Sequence, residues 1–218
     1  MSPIESLAVG ALMLSWIGLS LALLSARLQR FRSGASDSSA GDPTDRPSDS
    51  GAAPATRDLQ SWGGLALQAV GFALVWGTHR QVGAAWWPGL PAIAQQVLLV
   101  LAALLALASS AFAIAAVREL GKQWSLTARL LVTHKLVTSG PFGWVRHPIY
   151  SALLGLLVAT GACLSTVAAT AAGTLVYLLG THWRAAREEG LLLSRFGEAY
   201  VAYAHRVPRL IPGRKRSA

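Results

Sequence analysis

Long apolar runs without a charge divide the chain. Ser6 to Ala26 is 21 such residues, rich in Leu and Ala. As a helix this run reaches about 30 Å, the thickness of a bilayer core. Glu5 precedes it and Arg27, Arg30 and Arg32 follow it, which predicts a membrane helix rather than a signal peptide with a positive start. A second run, Leu59 to Thr78, carries glycines at 63, 64, 71 and 77, small residues that let helices pack closely in membranes. Trp86, Trp87, Pro88 and Pro91 then form an aromatic turn, and a third run extends from about Pro91 to Val117. Ile149 to Trp183 is a run of 35 residues without a formal charge. One helix of that length would measure about 52 Å, too long for a single crossing. Arg146 stands at one end and Arg184 and Arg187 at the other, so the run is expected to fold back at a turn near Gly161–Ser165.

The pattern predicts an all-α integral membrane bundle of about five transmembrane helices, the last two forming a helical hairpin. Residues 1–32 hold the first span and 59–117 the second and third. Residues 33–58, made of Ser, Gly, Ala, Asp and Pro with almost no large apolar side chain, read as a disordered linker. Residues 118–218 hold a basic loop, the hairpin and a cytosolic helix. In that helix, from Arg184 on, Leu191, Leu192, Phe196, Tyr200 and Tyr203 recur at three- and four-residue steps, and Pro208 and Pro212 end it.

Composition supports this reading. Charged residues are 13% of the chain, about half the usual share of a soluble domain. There are 19 Lys and Arg against 10 Asp and Glu, a formal charge of +9. With five spans, 18 of the 19 basic residues fall on one side and only Arg80 on the other. That asymmetry places the N-terminus outside and the C-terminus in the cytoplasm. The excess charge is thus topological, and no nucleic-acid partner is expected. The single cysteine, Cys163, lies in an apolar run and excludes a disulfide framework.

No Walker-type loop, no G-x-G-x-x-G, no H-E-x-x-H and no C-x-x-C occurs, so neither a common nucleotide fold nor a common zinc site is expected. Polar chemistry gathers in two places. In the first, Gly140-Pro141 predicts a turn and Pro148 the first turn of a helix, with Arg146 and His147 at its mouth. A helix N-terminus beside an Arg suits a carboxylate or phosphate; the plain alternative is an interfacial anchor. In the second, Arg184 and Glu188 share a helix face, with Glu189 adjacent. They are either a surface ion pair or acidic chemistry at the exit of a span.

The order of these pieces is informative. It runs Arg146-His147-Pro148-Ile149-Tyr150, the apolar hairpin, Glu188-Glu189, Phe196-Gly197-Glu198-Ala199-Tyr200-Val201-Ala202-Tyr203, and Val207-Pro208-Arg209-Leu210-Ile211-Pro212. Over about residues 118–212 the chain resembles the isoprenylcysteine carboxyl methyltransferase family and, more broadly, membrane methyltransferases that include phospholipid N-methyltransferases. The resemblance implies methyl transfer from S-adenosyl-L-methionine to a membrane lipid or lipid-linked acceptor. It implies cofactor contacts at His134, Lys135, Leu136, Val137, Phe142, Arg146, His147, Pro148 and Ile149. It places Arg184 and Glu188 in the catalytic and acceptor site, with Tyr150 beside the acceptor, and implies no metal. Phe142 stands where the family commonly has Tyr, and Ala152 where Gly is usual. An Ala- and Arg-rich composition low in Lys points to a bacterial inner membrane. A lipid-amine acceptor, a nicotinamide-dependent reductase of the sterol-reductase type and a non-catalytic adaptor are the alternatives.

Overall fold

The computed structural model describes residues 2–37, 59–80, 89–121 and 136–212. Six α-helices and no strand occur among them: α1 (Pro3–Asp37), α2 (Leu59–Gly77), α3 (Ala92–Leu120), α4 (Pro148–Leu164), α5 (Val167–Phe196) and α6 (Glu198–Arg206). The protein is therefore all-helical over the described residues. Two helices, Pro3–Gln29 and Ala92–Leu120, are long and apolar enough to cross a membrane. Pro148–Leu164 and Trp62–Gly77 are shorter apolar helices.

Helix α1 packs along α3, α3 along α4, and α5 along α4 and α2. Small residues on α3 make this possible: Ala102, Ala106 and Ala113 are buried together with Leu12, Leu19 and Leu156. Rings join the helices on the other side. Trp16 meets Phe72 edge to face at 5.4 Å, and Phe72 meets Tyr177 at 5.6 Å. Such pairs stabilise by about 1 kcal/mol beyond their buried area.

The α2–α5 seam is built on glycine. A Cβ on Gly71 would lie 2.7 Å from the Gly173 carbonyl oxygen, and one on Gly173 2.6 Å from the Gly71 oxygen. Gly64 and Gly180 repeat this two turns away, at 2.9 Å and 2.6 Å from each other's carbonyls. Only a side chain of hydrogen permits this approach, and it brings α2 onto the functional part of α5.

Three expectations are corrected. Helix α1 continues to Asp37, so residues 33–37 are helical rather than linker; the rest of the linker lies outside the described residues. The apolar half of the hairpin and the charged segment after Trp183 form one helix, α5, with no break at Arg184. A change from apolar to charged side chains leaves backbone helicity intact, and no Gly or Pro interrupts 181–189. The break comes at Gly197 (φ +52°), where α5 ends and α6 starts, a backbone conformation that favours glycine. The hairpin turn itself lies at Ser165–Thr166, at the expected place. Trp86, Trp87 and Pro88 lie outside the described residues.

Candidate active site

The polar residues meet where α4 starts, α5 leaves its apolar half and the C-terminal segment returns. Gly140–Gly143 forms one 3-10 turn, and Pro148 opens α4 as its fixed φ suits. The segment after α6 is tied to this corner by backbone. The Arg146 N–H donates to the Pro208 carbonyl at 2.8 Å and the His147 N–H to the Arg209 carbonyl at 3.1 Å. Ser151 donates to the Leu210 carbonyl, and the Tyr203 hydroxyl to the Phe142 carbonyl at 2.7 Å. The backbone N–H groups of Arg146 and His147 are thus taken by the chain's own carbonyls, not left open at a helix mouth.

Glu189 is the hub. Its Oε1 accepts from His147 Nε2 at 3.0 Å, Arg209 Nε at 3.0 Å and Arg146 Nη1 at 3.2 Å. Its Oε2 accepts from Arg209 Nη2, which completes a two-pronged clasp. Burial alone would raise the Glu189 pKa, but the bonds from His147 and Arg209 and the charge of Arg146 win and take it down to about 2. The Arg209 pKa is raised, first by its bond to Glu189.

Glu188, one position earlier, faces a second group. It accepts from the Tyr150 hydroxyl, lies 3.5 Å from His147 Nδ1 and 3.8 Å from Arg184 Nη2. Both ring nitrogens of His147 therefore face carboxylates. Two donor nitrogens require the imidazolium form. Burial works against that charge, yet the two carboxylates overturn it and the His147 pKa is raised. His147 also stacks on Tyr150, centroids 5.5 Å apart.

Arg184 is buried at the end of the apolar half of α5. Its guanidinium lies over the Tyr150 ring at 5.2 Å and its Nη1 donates to Gln68 Oε1 at 3.0 Å. The expected Arg184–Glu188 pair exists, but at 3.8 Å it is the looser of these contacts.

The structure thus brings Arg146, His147, Tyr150, Arg184 and Glu188 into one cluster. Phe142 is buried under Tyr203, with Leu136 packed on Tyr200, Tyr203 and Val207. Pro148 is fully buried, whereas Val137 and Ile149 are half-buried. His134 and Lys135 lie outside the described residues. The sequence singled out Glu189 only as the acidic neighbour of Glu188 and Arg209 only as part of the Val207–Pro212 motif, and it placed neither these two nor Gln68 among the site residues. The adjacency of two of the chain's five glutamates, and an Arg between Pro208 and Leu210, were the signals for the first two. Nothing marked Gln68.

Among the described residues, the buried atoms that find no partner of hydrogen-bonding geometry include Arg146 Nε and the Tyr200 hydroxyl. Arg146 is near enough to act on that phenol. Four cationic groups, Arg146, His147, Arg184 and Arg209, surround two carboxylates, so the corner suits an anionic partner.

Comparison with known proteins agrees with the motif order. Residues 98–194 match the model of the isoprenylcysteine carboxyl methyltransferase (ICMT) family. The chain is ICMT-like over this segment. It contains Arg146, His147, Tyr150, Arg184, Glu188 and Glu189, whereas Gln68, Tyr200 and Arg209 of this ICMT-like chain lie outside it. The chain is 40% identical over 80 residues to protein-S-isoprenylcysteine O-methyltransferase B of Arabidopsis thaliana, covering 36% of this chain and 40% of that protein. It is 35% identical over 79 residues to protein-S-isoprenylcysteine O-methyltransferase of Schizosaccharomyces pombe, covering 36% and 34%. With the Homo sapiens enzyme of that name it shares 35% over 80 residues, covering 37% and 28%. The matches thus span 28% to 40% of these curated relatives.

Proposed function

We propose that this chain is an integral membrane methyltransferase that uses S-adenosyl-L-methionine to methylate a carboxylate on a lipid-linked acceptor of the isoprenylcysteine type. The observation that carries the reading is Arg184: a buried guanidinium at the end of an apolar helix half, braced against the Tyr150 ring. Such a group orients a carboxylate that arrives with its lipid tail in the bilayer.

The acceptor carboxylate needs no base, since it is already a nucleophile at neutral pH. Cofactor-bound sulfonium supplies the activated methyl group. The chain's own residues supply position and exclude water. Arg184 orients the acceptor. Glu188 holds Tyr150 and His147 beside it. Arg146 and Tyr200, each with a buried unmatched atom, fit the polar end of the cofactor, and Leu136, Val137, Phe142, Pro148 and Ile149 fit its apolar parts. An amine acceptor would need a base, for which Glu188 and His147 are the candidates, and both His147 ring nitrogens face carboxylates as donors rather than as acceptors.

In the bilayer, α1, α2, α3, α4 and the first half of α5 serve as the five spans. With 18 of 19 basic residues on one side, the site faces the cytoplasm and the N-terminus lies outside. The composition fits a bacterial inner membrane.

Cofactor binding tests the reading. Detergent-purified protein is expected to bind labelled S-adenosyl-L-methionine saturably, with displacement by S-adenosylhomocysteine and none by NADPH. Displacement by NADPH, or no saturable binding, contradicts it.

A further inference from the structure

We infer that Gln68, on α2, is a positioning residue for the acceptor: it sets the direction of the Arg184 guanidinium. The inference rests on the methyltransferase reading above and adds to it a residue outside the segment of 98–194.

Gln68 is a buried amide within the apolar stretch Trp62–Gly77 of α2, a place where an unpaired amide is costly. Both of its ends are paired. Oε1 accepts from Arg184 Nη1 at 3.0 Å, and Nε2 donates to Thr181 Oγ1 at 2.8 Å. The amide has only one workable orientation, because a guanidinium donates and cannot accept. Thr181 is fully buried and sits one turn before Arg184 on the same helix. The amide therefore ties two points of α5 and holds Arg184 at Nη1, while Glu188 faces Nη2.

The backbone confirms that this contact is held. Gly64, one turn before Gln68, has Gly180 O within 2.9 Å of its Cβ position and Arg184 Cγ within 2.5 Å. Gly71, three residues after Gln68, is set against Gly173. The two glycine contacts bracket Gln68 and press it onto Thr181 and Arg184. A surface contact would need no such seam.

The amide is neutral. A carboxylate there would face the same guanidinium and compete with the acceptor's carboxylate for its charge. Gln68 thus orients Arg184 without occupying its charge, and so tunes the site for an anionic acceptor.

The test uses the full chain in lipid nanodiscs with labelled S-adenosyl-L-methionine and N-acetyl-S-farnesyl-L-cysteine as acceptor probe. Gln68→Leu is expected to raise the acceptor KM roughly tenfold, as loss of one bond to a charged group would. Gln68→Glu, of the same shape, is expected to raise it further. Both leave the KM for the cofactor within twofold. Cofactor binding by each variant checks that it is folded; if the Leu variant fails that check, the isosteric Glu variant carries the test. A merely structural role would shift both KM values or neither, and that result overturns the inference. If the wild type methylates the probe and Gln68→Glu keeps its acceptor KM, only the role of Gln68 falls. If the wild type transfers no methyl group, the methyltransferase reading falls and Gln68 with it.

Discussion

Glu189 and Arg209 clasp each other by two bonds, Nε to Oε1 at 3.0 Å and Nη2 to Oε2. The two residues belong to different segments, α5 and the stretch after α6. This clasp holds the C-terminal segment onto the start of α4, where its carbonyls receive the Arg146 and His147 N–H groups. The polar corner is thus closed by the segment that follows α6.

Removing the hub charge leaves Arg146, His147 and Arg209 facing one another. Glu189→Gln is expected to cost about 3 kcal/mol of stability, as loss of one partner of a buried ion pair does. Arg209→Lys, which keeps the charge and loses the fork, should cost about 1 kcal/mol. Thermal denaturation in detergent checks both. Equal midpoints for Glu189→Gln and wild type would show that the clasp contributes nothing.

The raised His147 pKa gives stability a pH dependence of definite sign. The folded state binds this proton more tightly than the unfolded chain, whose His has the ordinary value of 6.5. The contribution is therefore complete below about pH 6.5 and is lost as pH rises through the raised folded value. Glu189 runs the opposite way: its contribution is present above the ordinary 4.5 and lost as pH falls toward about 2. The wild type should exceed His147→Gln in denaturation midpoint at pH 6, by a margin that shrinks as pH rises. A constant margin contradicts the charged form of His147.

At Tyr150 the hydroxyl and the ring have separable jobs. Tyr150→Phe keeps the stack on His147 and the face under Arg184, and loses the bond to Glu188. Methyl transfer is expected to fall roughly tenfold in kcat/KM, about 1.4 kcal/mol. Tyr150→Ala, which loses the ring as well, should fall further. Steady-state kinetics of both variants decides this.

The glycine seam predicts a steric effect. Gly173→Ala places a Cβ 2.6 Å from the Gly71 carbonyl and 2.8 Å from Val75 Cγ2. Forcing α2 off α5 should cost about 1–3 kcal/mol. Gly10→Ala on α1 meets nothing within 4 Å and should be neutral. Denaturation midpoints that are alike for the two variants would contradict the close approach.

Much of this fold is written in polarity. The third apolar run, expected over about Pro91–Val117, is α3 at Ala92–Leu120. The 35-residue run was readable as a hairpin because its length exceeds one crossing. The continuity of α5 through Arg184 and Glu188 was not readable, since the polarity step at Trp183 looks like a boundary while the backbone has no reason to stop. At the site, Arg146, His147 and Glu188 stood out as charges in a charge-poor chain. Gln68 did not, because an amide in an apolar run has no sequence signature for its partner. Its partners Thr181 and Arg184 lie more than a hundred residues away, and only the packing of α2 on α5 brings them together.

Methyl transfer to the proposed lipid-linked carboxylate is measured with methyl-labelled S-adenosyl-L-methionine and membranes with and without this protein, beside membranes carrying Glu188→Ala. Label is expected in the lipid-soluble or protein fraction, dependent on the wild-type protein, falling sharply in Glu188→Ala, and leaving as methanol in mild base, as an ester does. Label that resists base would assign an amine acceptor, and no protein-dependent label would contradict methyl transfer by this protein.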